Sequence, residues 1–512
     1  MRRRISALFV VLLSLLAVAA VAAPDFAGAK TMSMRSYERA RAELDAALLA
    51  VGGADALRSI KNLRRLSRAN LFEPGQGLEP ESPHLKVLWE GDSIADFERQ
   101  WSATDRSWFS AGDPRWHSLL VLKGDSGFTY SRLTAALRPW SADEVAGARK
   151  TLVRDPARLL LTAASRAGTL RFMGETSLEG RLHRAIGFAD ADGTHIALYI
   201  DARTRLVSKQ ELLGDDPVLG DRATEILYSD YRKVAGVRLP FRVITRNSDR
   251  VTEDFTYSRI TANVTGIDRF FEPPRGALRA PQTPQPSVAL TKLGEGAYFV
   301  GGAGHNSLFV SFHDHVLLVE APDSADRVEA VLAKIRETAG DKPVRYVVPT
   351  HHHFDHIGGL RAAIAAGATV VTTRGNRALM NRLAATPHTI RPDALSRRPR
   401  APSIEIVAKK RVFTDGARTV EIYEIGPTPH VKEMVIAYLP AERVVFVSDL
   451  FSTSNNGPIP PAGSSGRHFA RALEELRLRV DHIAPGHGRM VTMKDFMDAL
   501  ARPVAPPRPV GL

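Results

Sequence analysis

The sequence predicts an α+β protein in two halves, a mainly antiparallel β domain and then two sheets packed face to face under outer helices. The length of 512 residues favours two domains over one. Residues 31–271 contain short runs of alternating apolar and polar residues separated by Gly and Asp, which is typical of antiparallel strands. Residues 288–500 instead interleave apolar strands with helical stretches, which predicts the layered second half.

Residues 272–287, EPPRGALRAPQTPQPS, are predicted to be a linker between the halves. They hold five prolines and show no apolar periodicity. Residues 501–512 form a second Pro-rich segment, a tail. We therefore expect the second half to have its own core and to need nothing from the first half for its chemistry.

The N-terminus has the layout of a secretory signal peptide. Three arginines precede an apolar run from Ile5 to Ala23 that ends in small residues, with cleavage expected after Ala22 or Ala29. An uncleaved membrane anchor is the alternative, because the run approaches spanning length. We expect residues 1–29 to be removed and the mature protein to reside in a periplasm without a stable membrane span.

The composition limits the chemistry. The chain has no cysteine, which excludes disulfides, zinc–thiolate sites, iron–sulfur clusters and a thiol nucleophile. Any metal must therefore be held by nitrogen or oxygen ligands. The formal charge of +13 is scattered and lacks aromatic interleaving, which indicates a solvated basic surface and no nucleic-acid partner.

The first half resembles periplasmic lipoprotein-carrier domains in three stretches. These are an N-terminal helix containing Gly52-Gly53, a hairpin at residues 193–210, and DYRKVAGVRLPFRV at residues 230–243. The resemblance implies a curved half-barrel with an apolar concave face for a lipid-like ligand. The alternative is a generic sheet that supports the second half. The histidines of this half are dispersed and are not expected to bind a metal: His84, His117, His183 and His195.

The stretch PTHHHFDHIGG, residues 349–359, follows a buried strand and precedes a helix near Gly358-Gly359. Alternate side chains of an extended segment point the same way, so His351 and His353 can converge on one ion while His352 points away. Asp355 and His356 follow the turn of the chain and can reach a second ion.

Two metal ions need more ligands than this stretch supplies, whereas a chance cluster of histidines in a polar loop would need none. Further candidates occur downstream at His430, Asp449 and His487, each just after a predicted strand. A carboxylate at Asp449 can bridge two cations. These positions would gather along one edge of the two sheets.

The second half thus resembles the metallo-β-lactamase superfamily. The His-x-His-x-Asp-His motif of that family is matched at His351, His353, Asp355 and His356, and its later ligands are matched at His430, Asp449 and His487. The resemblance implies an αββα sandwich with two zinc ions, although manganese and iron accept the same ligands. One ion would be bound by His351, His353 and His430. The other would be bound by Asp355, His356 and His487, with Asp449 between them.

Two positions depart from the family pattern. GPTPHVKE surrounds His430 where Gly-His-Thr or Gly-His-Ser is common, which leaves His388 as an alternative ligand. Glu320 stands where an aspartate is common, a difference expected outside the ligand set. His305 and His468 could line the pocket, but we expect both to be structural.

Taken together, these features predict an exported dinuclear-zinc hydrolase. A metal-bridging hydroxide, oriented by Asp355, would cleave an ester, lactone, thioester or β-lactam-like bond. The substrate would be a small molecule, lipophilic if the first half binds lipid. The alternative is a periplasmic carrier of a lipid-like ligand with an auxiliary metal domain. The sequence does not indicate an oligomeric state.

Overall fold

The computed structural model describes residues 30–503 except for a few short gaps, which are residues 84, 110–115, 133–134, 248–249, 280–287, 303 and 456. The predicted signal peptide, most of the tail, half of the predicted linker and His84 lie outside the described residues. Among the described helices, none has the length and apolar character that crossing a membrane requires.

The first half is built around one 14-stranded sheet. Its elements are, in chain order, α1 (Met32–Val51), α2 (Ala54–Ser59), β1 (Asn62–Glu73), β2 (Leu85–Asp96), β3 (Trp101–Phe109), β4 (Trp116–Lys123), β5 (Ser126–Ser131), β6 (Ala136–Pro139), α3 (Ala142–Val153), α4 (Leu159–Ser165), β7 (Arg171–Leu178), β8 (Arg181–Ala189), β9 (His195–Asp201), β10 (Val207–Asp216), β11 (Gly220–Val234), β12 (Val237–Asn247), β13 (Arg250–Ala262) and β14 (Leu278–Arg279). The strand order is β14-β6-β5-β4-β3-β2-β1-β13-β12-β11-β10-β9-β8-β7. The central strand β1 pairs antiparallel with both β2 and β13, which confirms the antiparallel prediction.

The sheet curls around α1. The helix contacts β7, β8 and β12, although β12 and β7 are separated by four strands in the sheet order. At about 4.8 Å between strands, a flat sheet would hold them roughly 24 Å apart, more than twice the width of a helix. The interior of this curl is filled by buried side chains of the protein itself, among them Leu44, Ile186 and Leu198. Gly52 ends α1 where a Cβ would lie 2.6 Å from the Gly236 carbonyl oxygen.

The second half contains two sheets and seven α-helices among its described residues. Its elements are β15 (Ala289–Gly294), β16 (Ala297–Gly301), β17 (Ser307–Ser311), β18 (Val316–Val319), α5 (Ala325–Ala339), β19 (Val344–Val348), α6 (Phe354–Ile357), α7 (Leu360–Ala365), β20 (Thr369–Thr372), α8 (Arg377–Ala385), α9 (Ala394–Arg397), β21 (Ile404–Ile406), β22 (Lys410–Thr414), β23 (Thr419–Glu424), β24 (Val435–Leu439), β25 (Val444–Val447), α10 (Ser464–Glu475), β26 (His482–Pro485), β27 (Val491–Thr492) and α11 (Met493–Ala501). Strands β15 to β21 form a seven-stranded sheet, and β22 to β27 form a six-stranded sheet, each in chain order.

These layers form the αββα sandwich that the sequence predicts. Leu317 and Val348 of the first sheet share a core with Ile422 and Phe446 of the second. A separate core joins the outer face of the first sheet to α5, α7 and α8, and another joins the second sheet to α10 and α11. Because both faces of the sheets are covered, β17 and β18 are buried along their whole length and read as continuous apolar runs.

The two halves are in direct contact, and the independence of the second half stays a prediction. The turn between β10 and β11 places Val218 in the core of the second half. At the start of β11, the Asp221 carboxylate accepts hydrogen bonds from the backbone of Thr389 and Ile390. Leu278–Arg279, inside the predicted linker, instead pair with β6 of the first half.

Candidate metal centre

Strand ends bring the predicted ligands to one edge of the sandwich. His351 follows β19, Asp449 follows β25, and His487 follows β26. β25 and β26 are parallel neighbours, so their carboxyl ends open side by side. His430 lies in the loop after β23. His353 precedes the short helix α6, which carries Asp355 and His356.

The side chains form two groups. The possible ligand atoms of His351, His353, His430 and Asp449 lie within 4.8 Å of one another. The same spacing holds for the second group, which comprises His305, Asp355, His356 and His487. The structure thus brings all seven predicted ligand residues together and adds His305.

Asp449 lies between the two groups. Its Oδ2 atom is 3.0 Å from His430 Nε2 and 3.7 Å from His351 Nε2. Its Oδ1 atom is 2.8 Å from His487 Nε2 and 3.2 Å from His356 Nε2. One carboxylate therefore faces both groups, with a separate oxygen toward each.

The histidine rings present free nitrogens to these groups. Among the described residues, the buried Nε2 atom of His351 and Nδ1 atom of His353 lack a hydrogen-bond partner, and the Nε2 atoms of His356 and His430 face the Asp449 carboxylate. The opposite ring nitrogens are engaged. His351 Nδ1 is 3.0 Å from Thr350 Oγ1, and His356 Nδ1 is 2.8 Å from Glu320 Oε2. Orphaned imidazole nitrogens beside ionised carboxylates fit a metal with nitrogen and oxygen ligands.

Burial sets the charge state of the first group. It lowers the pKa of His353 to about 3, and together with the neighbouring histidines it holds the pKa of His351 well below the usual range. Burial alone would raise the pKa of Asp449, but the charge of His356 and hydrogen bonds from His356, His430 and His487 outweigh it and lower this pKa. Neutral imidazoles and an ionised carboxylate are the forms that bind metals.

The second group is more charged. Burial opposes protonation of His356, but Asp449 and Glu320 outweigh it and raise its pKa. Burial would raise the pKa of Asp355, but the His305 hydrogen bond and the charge of His356 lower it below its ordinary range. For His305, hydrogen bonds to Asp323 and Asp355 overcome burial and raise the pKa to about 9.

His305 was expected to be structural, and the structure places it in the second group. Its Nδ1 is 2.6 Å from Asp323 Oδ1 and its Nε2 is 3.1 Å from Asp355 Oδ2. The next residue holds it there, because Asn306 Nδ2 donates to the carbonyls of Pro485 and Gly488 around His487. The available signal was a histidine in a Gly-rich loop directly after a strand.

The other histidines lie elsewhere. His388 is buried against Asp215 of the first half, with 2.7 Å between Nδ1 and Oδ1, and belongs to neither group. His468 Nε2 is 3.3 Å from the Ile425 carbonyl oxygen. His117 pairs with Asp105, and His183 Nδ1 lies by the Arg181 carbonyl. His195, at the start of β9, also lies in the first half.

A loop of the first half reaches the centre. We call residues 74–83, between β1 and β2, the front loop. Its Gly77 carbonyl oxygen is 3.0 Å from the Nε2 atoms of both His352 and His353. The Gln76 side chain donates to Asp355 Oδ1 over 2.7 Å. No local pattern in the sequence predicted these contacts.

Comparison with known proteins gives a family match within the second half. Residues 300–487 match the family model described as "Metallo-beta-lactamase superfamily". Solved structures with similarity include the metallo-beta-lactamase from Pontibacter korlensis, at 22% identity over 42% of this chain and 97% of that chain, with a TM-score of 0.32. Another is the metallo-beta-lactamase FIM-1 from Pseudomonas aeruginosa in its mono-zinc form, at 19% identity over 42% of this chain and 95% of that chain, with a TM-score of 0.31.

The family match spans every predicted ligand from His351 to His487 and most strands of the two sheets that carry them. Residues 300–487 therefore form a metallo-beta-lactamase superfamily domain within this chain, which supports a metal-dependent hydrolase.

Proposed function

We propose that this chain is an exported hydrolase that holds two zinc ions and cleaves an ester, lactone, thioester or β-lactam-like bond in a small molecule. The observation that carries the proposal is the Asp449 carboxylate, whose two oxygens face two separate groups of histidines. A carboxylate in this position can bind two cations at once and hold them a few ångströms apart.

Two cations, when bound, would lower the pKa of a water molecule toward neutrality and polarise the bond under attack. The residues of the chain contribute position and charge. Asp355 is held on both oxygens, by Gln76 on Oδ1 and by His305 on Oδ2. It therefore keeps one orientation and can accept a hydrogen bond from an attacking water.

Zinc suits this ligand set because it accepts imidazole and carboxylate ligands and needs no thiolate. The test is elemental analysis of the purified mature protein beside turnover of a chromogenic panel of esters, lactones, thioesters and β-lactams. We expect about two zinc ions per chain and turnover that stops with a chelator and returns with zinc. A metal content near zero after preparation with zinc would contradict the proposal.

The proposal of export rests on the basic residues, the apolar run and the small residues that begin the chain. N-terminal sequencing of the mature protein should show that it begins after Ala22 or Ala29, and cell fractionation should recover it from the periplasm. Recovery of the full-length chain in the membrane fraction would favour the uncleaved anchor.

The carrier alternative would assign the ligand to the first half. The curl of its sheet is packed with α1 and with buried side chains such as Leu44 and Leu198, so nothing among the described residues of the first half favours a lipid-like ligand over catalysis. The same panel separates the two functions, because a carrier would bind long-chain compounds without turning them over.

A further inference from the structure

We propose that the front loop completes the metal centre: the Gly77 carbonyl fixes the His353 ring for metal binding, and the Gln76 amide orients Asp355. This inference rests on the proposed metal centre and assigns part of it to the half of the chain that the family match does not cover. Both residues act through metal ligands, so they are positioning residues.

The Gly77 contact is compatible with only one tautomer of the neutral His353 ring. A carbonyl oxygen only accepts hydrogen bonds, so His353 Nε2 must carry a hydrogen to donate to it. The neutral ring then has its lone pair on Nδ1, the atom that faces His351 and His430 without a partner. The carbonyl of the first half thus selects the tautomer that can bind a metal.

The Gly77 carbonyl also gives a role to His352, which lies between the predicted ligands His351 and His353. His352 Nε2 also donates to the Gly77 oxygen over 3.0 Å, and the side chain is buried, with 1% exposed. His352 and His353 therefore both hold the carbonyl. A carbonyl oxygen has two lone pairs and can accept both hydrogen bonds.

Further contacts hold the front loop in place on either side of Gly77. The Leu78 carbonyl accepts from the Lys432 backbone, two residues beyond His430, and Glu79 forms an ion pair with the Lys432 side chain. Glu81 pairs with Arg382 at the outer end of the loop, but both side chains are exposed, so this pair adds little to holding the loop. Gly75 lies against Phe354, where a Cβ would come within 2.1 Å of the ring. The loop therefore touches both segments that carry the histidines of the first group.

The loop also lines the space beside the centre. A depression of about 480 Å³ opens next to Asp355, and most of its lining belongs to the first half: Glu73, Pro74, Gln76 and Asp216, with Phe354 and Asp355 opposite. A substrate that reaches Asp355 from this side would contact the front loop. The loop thus positions ligands on one side and bounds the cleft on the other.

The test uses the full chain with Gly77→Ala. A Cβ at Gly77 would lie 2.7 Å from Ser82 Cβ and 3.1 Å from the Pro83 carbonyl oxygen, so the loop must shift and carry the carbonyl away from His353. Gly77→Ala combined with Ser82→Gly removes the closer of these contacts. Glu81→Gln is the control, because it changes the same loop at its exposed end.

Two measurements test the inference, the zinc affinity and the tautomer of His353. Zinc affinity by chelator competition should fall about 10–100-fold in Gly77→Ala, recover largely in the double variant, and stay unchanged in Glu81→Gln. In metal-free protein labelled with ¹⁵N-histidine, the Nε2-protonated signal of His353, assigned with His353→Gln, should weaken in Gly77→Ala. A loop that acted only on stability would leave this signal unchanged.

Unchanged zinc affinity and an unchanged His353 tautomer in Gly77→Ala would overturn the inference while leaving the metal centre in place. A second variant shortens the front loop between Gly75 and Ser82. This variant should also lose the Nε2-protonated signal of His353, and retention of that signal would overturn the inference. If the wild-type chain bound no zinc, the proposed function would fail, but the metal-free spectra would still decide the role of Gly77.

Discussion

Glu320 Oε2 accepts a hydrogen bond from His356 Nδ1 over 2.8 Å, and both side chains are fully buried. Its other oxygen accepts from the Thr350 backbone over 2.7 Å. Glu320, which directly follows β18, thus holds two points of the histidine stretch, the Thr350 backbone and the predicted ligand His356. The residue that departs from the family pattern holds the His356 ring with its Nε2 atom toward Asp449.

Glu320→Gln should weaken binding at the second group by about 10–100-fold, because an amide cannot accept hydrogen bonds on both of its ends. One end would face either His356 or Thr350 with a donor. Zinc titration followed by elemental analysis would measure the loss. The matched control is Glu329→Gln on the exposed side of α5, which should bind zinc like the wild type.

Asp449→Asn should bind close to one metal ion per chain, and Asp449→Ala should bind less. The amide keeps a single oxygen, whereas the two oxygens of the carboxylate face different groups. The loss of zinc affinity should exceed the roughly 10–100-fold loss that follows the removal of a residue that only hydrogen-bonds to a ligand. Asp481→Asn, which breaks an exposed pair with Arg443, serves as the control. Two tightly bound ions in Asp449→Asn would argue against a bridging role.

Much of this architecture could be predicted from the sequence. The layers of the second half could be predicted from apolar runs such as those of β17 and β25, because strands covered on both faces are apolar at successive positions. The ligand candidates could be selected because each carries its own chemistry and lies in a segment that follows a strand. Strands β3 to β6 were not predicted, since stretches such as WSATDRSWF alternate too weakly to stand out.

The contacts around the ligands could not be predicted in this way. Gly77 and His353 lie 276 positions apart, and the group that matters on Gly77 is a backbone carbonyl, which every residue carries. His305 gave only a weak signal, because its place depends on Asn306 bonding to the backbone around His487. Such relationships arise from packing between distant segments and leave no local pattern.

Gln76→Ala should lower kcat about tenfold while two metal ions stay bound. The variant loses a hydrogen bond to the charged Asp355, which is worth about 1.5 kcal/mol or more, and leaves the Gly77 carbonyl in place. Steady-state kinetics beside elemental analysis would separate orientation from metal binding. Loss of metal in parallel with kcat would mean that Gln76 supports the ligands as a whole.

Asp393→Ala should reduce the free energy of unfolding by about 3–5 kcal/mol at pH 7, because it leaves the buried guanidinium of Arg361 without its charge partner. Burial would raise the pKa of Asp393, but hydrogen bonds from Arg361 and Ser396 lower it below its ordinary range. A folded-state pKa below the unfolded value gives stability that is present above the unfolded value, about 3.9, and lost as the pH falls.

The difference between wild type and Asp393→Ala should therefore shrink as the pH drops below about 4. Urea unfolding at a series of pH values would measure it. Asp326→Ala, which breaks the exposed pair with Arg391, should change stability little at any pH. A wild-type advantage that persisted undiminished at pH 2 would contradict this account of the ion pair.

Cutting the chain between the halves should leave activity intact until the halves are separated. Cleavage at a protease site placed within residues 280–287 would break the covalent connection, while Val218, the Asp221 hydrogen bonds and the His388–Asp215 pair still hold the halves together.

After separation, the fragment from Val288 onward would lack Gln76 and Gly77 and would expose the surface that Val218 covers. We expect it to bind zinc at least about tenfold more weakly and to lose turnover equally for short-chain and long-chain esters. Loss confined to long-chain esters would instead assign the first half to substrate recruitment, and full retention of activity would restore the expectation that the second half works alone.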